Sequence, residues 1–162
     1  MRRLMPGVLV ALFAGASIPC EAASLQDRPM VRRAAVTSSA NVTVLAERGD
    51  ANAQARLGYM YEMGRGVPQN YRLAVYWYGR AAQQGHSGAQ YLLSFMFDRG
   101  KGVPPDHIEA HKWMNLAAAT ASSRRDAEVF TRMRNAIATK LTRSEADEAQ
   151  GRAIGWVQVR EY

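Results

Sequence analysis

A repeat with a period of 36 residues constrains the fold of this chain more than any other feature of its sequence. Residues 51–83 and 87–119 align without a gap, and twelve of the 33 positions are identical. A half unit over 41–50 precedes the two full units. One such unit cannot bury its apolar surface alone, so we expect the units to stack. Residue types with strong structural preferences are among the identical pairs: Gly64/Gly100, Gly66/Gly102, Pro68/Pro104 and Trp77/Trp113.

Each unit is predicted to form two antiparallel helices. The first helix of the first unit ends at Gly64, since glycine readily adopts the left-handed conformation found at helix ends. Pro68 then turns the chain, because proline cannot continue the hydrogen bonds of a helix. The second helix begins after Asn70, or after Asp106 in the second unit, whose side chains accept from free amides of a first turn. Asp106 and Glu109 are also spaced as a capping box.

The sequences that flank the repeats are predicted to cap the stack. A helix within 41–50 covers one end, and helices over 124–141 and about 143–160 cover the other. The spacing of Thr142 and Glu145 predicts a capping box at the start of the last helix. We therefore expect an all-α protein, a short α/α solenoid of two helix hairpins with helical caps at both ends, with about seven helices and no strand. The predicted repeat region 41–121 consists of the half unit 41–50 and the units 51–86 and 87–121, and is followed by capping helices over 122–162.

The first unit carries the residues of a known repeat pattern. They are Ala53-Gln54-(x2)-Leu57-Gly58-(x2)-Tyr61-(x2)-Gly64-(x)-Gly66-Val67 and Ala74-(x2)-Trp77-Tyr78-(x2)-Ala81-Ala82-(x2)-Gly85. The pattern resembles the Sel-1-like repeat family of secreted bacterial proteins, α-solenoid relatives of the tetratricopeptide repeats. The second unit departs from it at Ser94, Phe97 and Met114. The resemblance implies a solenoid fold and a role in envelope signalling, surface polysaccharide control or host contact.

The amino-terminal residues predict export. Two arginines precede an apolar stretch over 4–18, and a small-residue cleavage site ends at Ala22, so residues 1–22 have the layout of a secretory signal peptide. A membrane anchor is an alternative, but the stretch is shorter than the roughly 20 residues that span a bilayer. A lipoprotein signal is another, although Pro19 directly precedes the cysteine. We expect a flexible leader over 23–40 and a periplasmic or secreted protein without a transmembrane anchor after cleavage.

Few residues suggest catalysis or metal binding. The Gly-x-Gly turns at 64–66 and 100–102 lack the preceding strand and the following Lys-Ser/Thr of phosphate loops. His107 and His111 have the spacing of two metal ligands on a helix, but we interpret them as part of an exposed helix face. The single cysteine, Cys20, lies in the predicted signal peptide, and serine-hydrolase motifs are absent. We predict a non-enzymatic protein with no catalytic residues, metal or cofactor.

Aromatic residues predict a protein-binding surface on the second helix of each unit. Tyr76, Trp77 and Tyr78 are consecutive, and successive helical side chains point about 100° apart, so not all three can be buried. Exposed tyrosine beside arginine is typical of protein-binding patches. The candidate binding residues are Arg72, Tyr76 and Arg80 in the first unit and Lys112 and Asn115 in the second.

The net charge of +7 is concentrated rather than spread evenly. The leader and residues 124–143 carry most of the excess, whereas the last helix is acidic. We expect Arg124, Arg125 and Arg132 to form a basic cap patch, whose counterpart would be an anionic envelope surface or an acidic protein. Export would separate the chain from nucleic acid, so no nucleic-acid partner is expected.

Taken together, the sequence favours a non-enzymatic adaptor or regulator in the bacterial envelope. Such a protein would bind a protein partner, of unknown identity, on its repeat surface. Two alternatives stay open. One is a cell-wall-related ligand-binding protein or a weak β-lactamase-like hydrolase. The other is a structural component of an envelope complex, with the caps as its interface.

Overall fold

The structure, a computed structural model, describes residues 39–160. This range contains seven α-helices and no strand, which confirms the predicted all-α solenoid. The first helix, α1, spans residues 39–47. The others are α2 (Ala51–Met63), α3 (Tyr71–Gln83), α4 (Ser87–Arg99), α5 (His107–Ala119), α6 (Arg124–Ala138) and α7 (Arg143–Arg160).

The amino-terminal predictions lie largely outside this range. Residues 1–38 hold the predicted signal peptide and most of the predicted leader. The last two residues of that leader, 39 and 40, belong to α1. No helix between residues 39 and 160 combines the length and the apolar character that a membrane span needs.

Local caps determine where the helices of the repeats begin and end. Asn70 and Asp106 accept, at 3.1 and 2.9 Å, a hydrogen bond from the amide three residues further on, at the start of α3 and α5. Gly64 and Gly100 end α2 and α4 with φ of 67° and 64°, the left-handed conformation that glycine adopts without strain. These four positions recur with the 36-residue period, so both hairpins are bounded in the same way.

One of the two predicted capping boxes forms completely. Thr142 N donates to Glu145 Oε2 at 2.8 Å, and Glu145 N donates to Thr142 Oγ1 at 3.3 Å. At the start of α5, Glu109 N donates to Asp106, but the reciprocal bond is missing. The reason is that Asp106 N already donates to Phe97 O at 3.0 Å. The Glu109 carboxylate instead binds cations of α5 and α7.

A buried glutamine joins each hairpin to the helix before it. Gln54 Nε2 donates to Ala46 O at 3.0 Å, and Gln90 Nε2 donates to Ala82 O at 3.2 Å. Both glutamines are fully buried. An unpaired buried amide costs roughly 1–3 kcal/mol, so each bond favours one relative position of the two helices. α1 therefore meets α2 through the same contact by which α3 meets α4.

The apolar core runs along the stack between successive helices. Val42 and Ala46 of α1 form a cluster with Trp77 of α3. Trp113 of α5 packs into a second cluster that contains Ala74 and other alanines of α3. Each tryptophan thus fills the space between its own helix and the equivalent helix of the preceding unit, where small alanines leave room for the indole ring.

The two hairpins differ at one close contact. A Cβ on Gly58 would lie 2.6 Å from Cδ1 of Tyr78, so the fully buried tyrosine ring fits only against glycine. The Tyr78 hydroxyl donates to Glu62 Oε2 at 2.8 Å, and burial together with this carboxylate raises the pKa of the phenol. In the second hairpin Ser94 and Met114 stand at these positions, and Ser94 Oγ donates to a backbone carbonyl of α5 at 2.6 Å. The second hairpin thus has a hydrogen bond between α4 and α5 where the first has the contact between glycine and the tyrosine ring.

α6 folds back over the second hairpin. The ring of Phe130 stacks on that of Tyr91, with 4.8 Å between centroids, and Ile137 is buried near the other end of the helix. Arg134 Nη1 donates to Asn115 Oδ1 at 3.2 Å and ties α6 to α5. α6 thus closes the end of the stack that the repeats leave open.

α7 runs parallel to α5 and packs against it. Arg152 Nη1 donates to Glu109 Oε1 at 2.8 Å, and one turn further the rings of Trp156 and Trp113 meet edge to face at 6.0 Å. Ala153 is buried at this contact. The spacing Ala-x-x-Trp, which marks α3 and α5, recurs in α7. α7 therefore lies beside α5 as a third helix with the Ala-x-x-Trp spacing.

Candidate functional site

The candidate residues of the first unit lie together on the outer side of α3. Arg72 is exposed, Tyr76 exposes 53% of its surface and Arg80 is half-buried. Leu73, which is 37% exposed, lies one helical turn before Tyr76. We refer to Arg72, Leu73, Tyr76, Trp77 and Arg80 as the α3 face.

Arg80 holds the aromatic residues of the α3 face together. Its guanidinium carbon lies 5.5 Å from the ring centroid of Trp77 and 6.0 Å from that of Tyr76. The two rings meet edge to face at 5.1 Å. Neither Arg72 nor Arg80 forms an ion pair within residues 39–160. The α3 face therefore presents an ordered aromatic centre with two arginines whose charges are available to a partner.

α7 covers the equivalent face of α5. Glu109 there binds Arg152, and the ring of Trp113 meets that of Trp156. Leu116, at the position of Arg80, is buried. At this register Leu73 and Tyr76 of α3 are exposed and Trp77 is buried, whereas α7 lies over Glu109 and Trp113 of α5. The positions of Leu73, Tyr76, Trp77 and Arg80 correspond in α5 to Glu109, Lys112, Trp113 and Leu116.

The two candidate residues on α5 are engaged within the fold. Lys112 Nζ donates to Glu109 Oε2 at 2.9 Å and lies 4.6 Å from the ring centroid of Trp113, so its side chain is only 15% exposed. Asn115 is half-buried and accepts from Arg134 of α6. The structure therefore brings the three candidates of α3 together, whereas Lys112 is held by Glu109 and Trp113 of its own helix and Asn115 by Arg134 of α6.

The basic cap patch lies on α6. Arg124, Arg125 and Arg132 are all exposed. Arg124 Nε donates to Glu128 Oε1 at 3.1 Å, and Arg132 Nε donates to Glu128 O at 3.4 Å. Arg124 and Arg132 line a depression of about 550 Å³ that α6 alone forms. A single helix cannot enclose a ligand, so this depression is an open shelf, and Glu128 partly neutralises its charge.

The two histidines of α5 have different surroundings. His107 Nδ1 lies 3.2 Å from Asp98 Oδ1, which also accepts from Lys140 Nζ at 2.6 Å. His111 is 6% exposed, so our interpretation of it as part of an exposed face is wrong; the packing of α6 on α5 buries it. Among the described residues its Nδ1 has no hydrogen-bond partner. Burial and the nearby Arg134 lower the pKa of His111, which favours the neutral imidazole.

The described residues offer little for metal or small-molecule binding. Between residues 39 and 160, no three His, Cys, Asp or Glu side chains are grouped to hold a metal ion. A cavity of about 90 Å³ lies between α4, α5 and α6. Small-molecule sites typically enclose about 300–1,000 Å³, so this cavity is too small for most ligands. Its lining is mainly apolar: Phe95, Met114, Met133, Ala136 and Ile137, with Asp98 and Lys140.

The helix hairpins that carry these surfaces match a family model described as the Sel1 repeat. The matches cover residues 51–86 and 87–119. Residues 51–119 of the chain thus contain two Sel1 repeats. Sel1 repeats typically act as protein-interaction modules, so a binding site is expected on the surfaces of α2–α5 rather than in a cavity.

Two solved structures of similar proteins have the same solenoid fold. A protective antigen of uropathogenic Escherichia coli strains that displays an SLR fold has 27% identity and a TM-score of 0.70, with 76% of this chain and 26% of that chain covered. A Sel1 repeat protein from Oxalobacter formigenes has 33% identity and a TM-score of 0.52, with 54% and 36% covered. This Sel1-repeat chain thus spans about a quarter to a third of the length of those proteins. No curated protein matches it.

Sequence reasoning missed two residues that define the candidate surface. Leu73 is exposed beside Tyr76. The sequence signal was that Glu109 stands at the equivalent position of the second unit, because a position that accepts both leucine and glutamate does not lie in the apolar core. Trp156 covers Trp113, and its signal was the third Ala-x-x-Trp spacing. That spacing follows the second by 43 residues rather than 36, which hid it from an ungapped alignment.

Proposed function

We propose that this Sel1-repeat protein is a non-enzymatic adaptor or regulator of the bacterial envelope that binds a protein partner through the α3 face. One observation carries the proposal. The α3 face is open at the register where α5 is covered, and it combines exposed Tyr76 and Leu73 with two arginines that have no acidic partner among the described residues.

The composition of the α3 face suits a protein partner. Tyrosine, tryptophan and arginine are enriched among the few residues that dominate the binding energy of protein interfaces. In the α3 face these residue types are neighbours, and the guanidinium of Arg80 contacts both rings. A partner that covers Tyr76 would also desolvate the cation–π contacts, which are stronger away from water.

Export is the second part of the proposal. The layout of residues 1–22 supports it, and so does the likeness to a protein described as a protective antigen. The mass of the amino terminus of the protein isolated from its native cells tests it. A first residue of Ala23 is expected, whereas an intact amino terminus in the cytoplasm would contradict export.

In-cell photocrosslinking tests the binding proposal. A benzoylphenylalanine in place of Tyr76 is expected to capture one dominant protein, and the charge-reversing R72E substitution should abolish the capture. The same probe in place of Ile154, an exposed apolar residue of α7 that is 52% exposed, is the matched control and should capture nothing specific. Equal capture at both positions, or none at Tyr76, would contradict the proposal.

The alternative of a structural component that assembles through its caps has one supporting observation, the exposed Arg125 and Arg132 on α6. A probe in place of Arg132 distinguishes it. Capture of a protein there, and not at Tyr76, would favour the cap interface. The 90 Å³ cavity gives no comparable support to a cell-wall ligand.

A further inference from the structure

We propose that the α3 face binds an acidic amphipathic helix of its partner, in the way that α7 binds α5 within this chain. The inference rests on the proposed function, because it presumes a protein partner at this face. It adds the secondary structure, the charge and the direction of the segment that binds.

The docking of α7 on α5 supplies the geometry. α7 runs parallel to α5, buries Ala153 at the contact and places Trp156 edge to face with Trp113 at 6.0 Å. α3 has the same length as α5, and Trp77 stands at the position of Trp113. A helix with a small residue three positions before an aromatic one can therefore approach α3 as α7 approaches α5.

The charges of the two faces are opposite, and this determines the chemistry of the occupant. Glu109 on the α5 face selects a cation of the docked helix, Arg152, at 2.8 Å. The α3 face has Leu73 at that position and Arg72 and Arg80 around it. A helix that docks on α3 would meet Leu73 in place of Glu109, and its carboxylates would pair with Arg72 and Arg80 on either side.

On α3, Arg80 contacts the tryptophan that on α5 is contacted by the docked helix. On α5 the ring of Trp113 meets Trp156 of the docked helix, whereas on α3 the ring of Trp77 is met by the guanidinium of Arg80 at 5.5 Å. A carboxylate of the incoming helix would draw the flexible Arg80 side chain away from the indole. Trp77 would then become available to the small and aromatic residues of that helix.

Two peptides test the inference on the purified full-length chain. Both have the α7 sequence, residues 143–160, with a fluorescent label, and one carries R152E. α7 already occupies the α5 face of the chain, so both peptides meet the α3 face, whose arginines attract the altered peptide. By fluorescence anisotropy we expect the R152E peptide to bind up to about five-fold more tightly than the native one, since one exposed charge contact contributes up to about 1 kcal/mol.

Variants of the chain locate the binding. R80E is expected to reverse the preference, so that the native peptide binds more tightly, which a misfolded chain could not do. Tyr76→Ala should weaken the R152E peptide about ten-fold, and Met133→Ala on α6 is the matched control with no effect. Equal affinity of the two peptides, or an unchanged preference in R80E, would overturn the inference.

The two proposals fail separately. A protein captured at Tyr76 together with indifferent peptides would leave the proposed function intact and overturn the acidic helix. Selective binding of the R152E peptide without a captured protein would overturn the proposed protein partner and leave the affinity of the α3 face for acidic helices intact. If the chain dimerises in light scattering and the R152E peptide dissociates the dimer, the occupant is a second copy and the partner helix is overturned.

Discussion

The first repeat and the second repeat have the same helix lengths, side-chain caps at equivalent positions and the same buried glutamine, yet they differ in their internal packing and on their surface. Inside, Gly58 and Tyr78 are replaced by Ser94 and Met114. Outside, α3 exposes the face that α5 covers with α7. The repeat period therefore determines where the helices begin and where they contact each other. It does not determine the packing inside each hairpin or whether the outer face of its second helix is covered.

The largest expected effect comes from breaking the internal coupling. Gly58→Ser places a side chain against the Tyr78 ring, and overpacking of this kind costs about 3 kcal/mol of unfolding free energy. Adding Tyr78→Met reproduces the pair found in the second repeat and should recover at least about 1 kcal/mol. Urea unfolding of the two single variants and the double variant, followed by circular dichroism, measures the coupling. Strictly additive losses would show that the pairs are independent.

A smaller effect is expected from uncovering the α5 face. Ala153→Glu buries a charge at the contact with α5, so α7 should detach at a cost of about 2 kcal/mol. The tryptophan fluorescence should shift to longer wavelength as water reaches Trp113 and Trp156. Ile154→Glu, at the adjacent exposed residue, is the matched control. A similar shift in both variants would indicate that α7 does not cover α5.

A pH-dependent effect distinguishes His111 from its counterpart Val75. The pKa of His111 is lowered in the folded state by burial and by Arg134, whereas an unfolded histidine titrates near 6.5. Between these two values the unfolded chain binds more protons, so the unfolding free energy falls as the pH is lowered from 7 and levels off below the folded pKa. His111→Val should flatten this dependence in urea titrations at a series of pH values. His86→Asn, which keeps a side chain able to cap α4, should retain it.

The smallest effect is expected on the open face of the first repeat. Tyr76→Ala and Arg72→Glu alter exposed side chains, so the unfolding free energy should change by no more than about 0.5 kcal/mol in the absence of a partner. Thermal unfolding measures this. A larger loss in either variant would mean that the α3 face is part of the fold rather than a surface kept for binding.

Much of the candidate site was predictable because its residues lie on one helix. Arg72, Tyr76 and Arg80 are four residues apart, and helical geometry alone places them on one side of α3. The engagement of Lys112 and Asn115 was not predictable. The partner of Asn115 is Arg134 of α6, and Glu109, which binds Lys112, is also bound by Arg152 of α7; both helices are remote in sequence from α5.

The sequence by itself determined the repeat, its helix boundaries and its all-α solenoid class. These depend on local interactions: a side chain that accepts from an amide three residues on, a glycine with positive φ, and apolar residues at helical spacing. Only the tertiary structure decided which of two equivalent faces is covered, and that His111 is buried under α6. Those outcomes depend on contacts between segments joined by loops, and the same periodic sequence is compatible with either face being open until α7 docks.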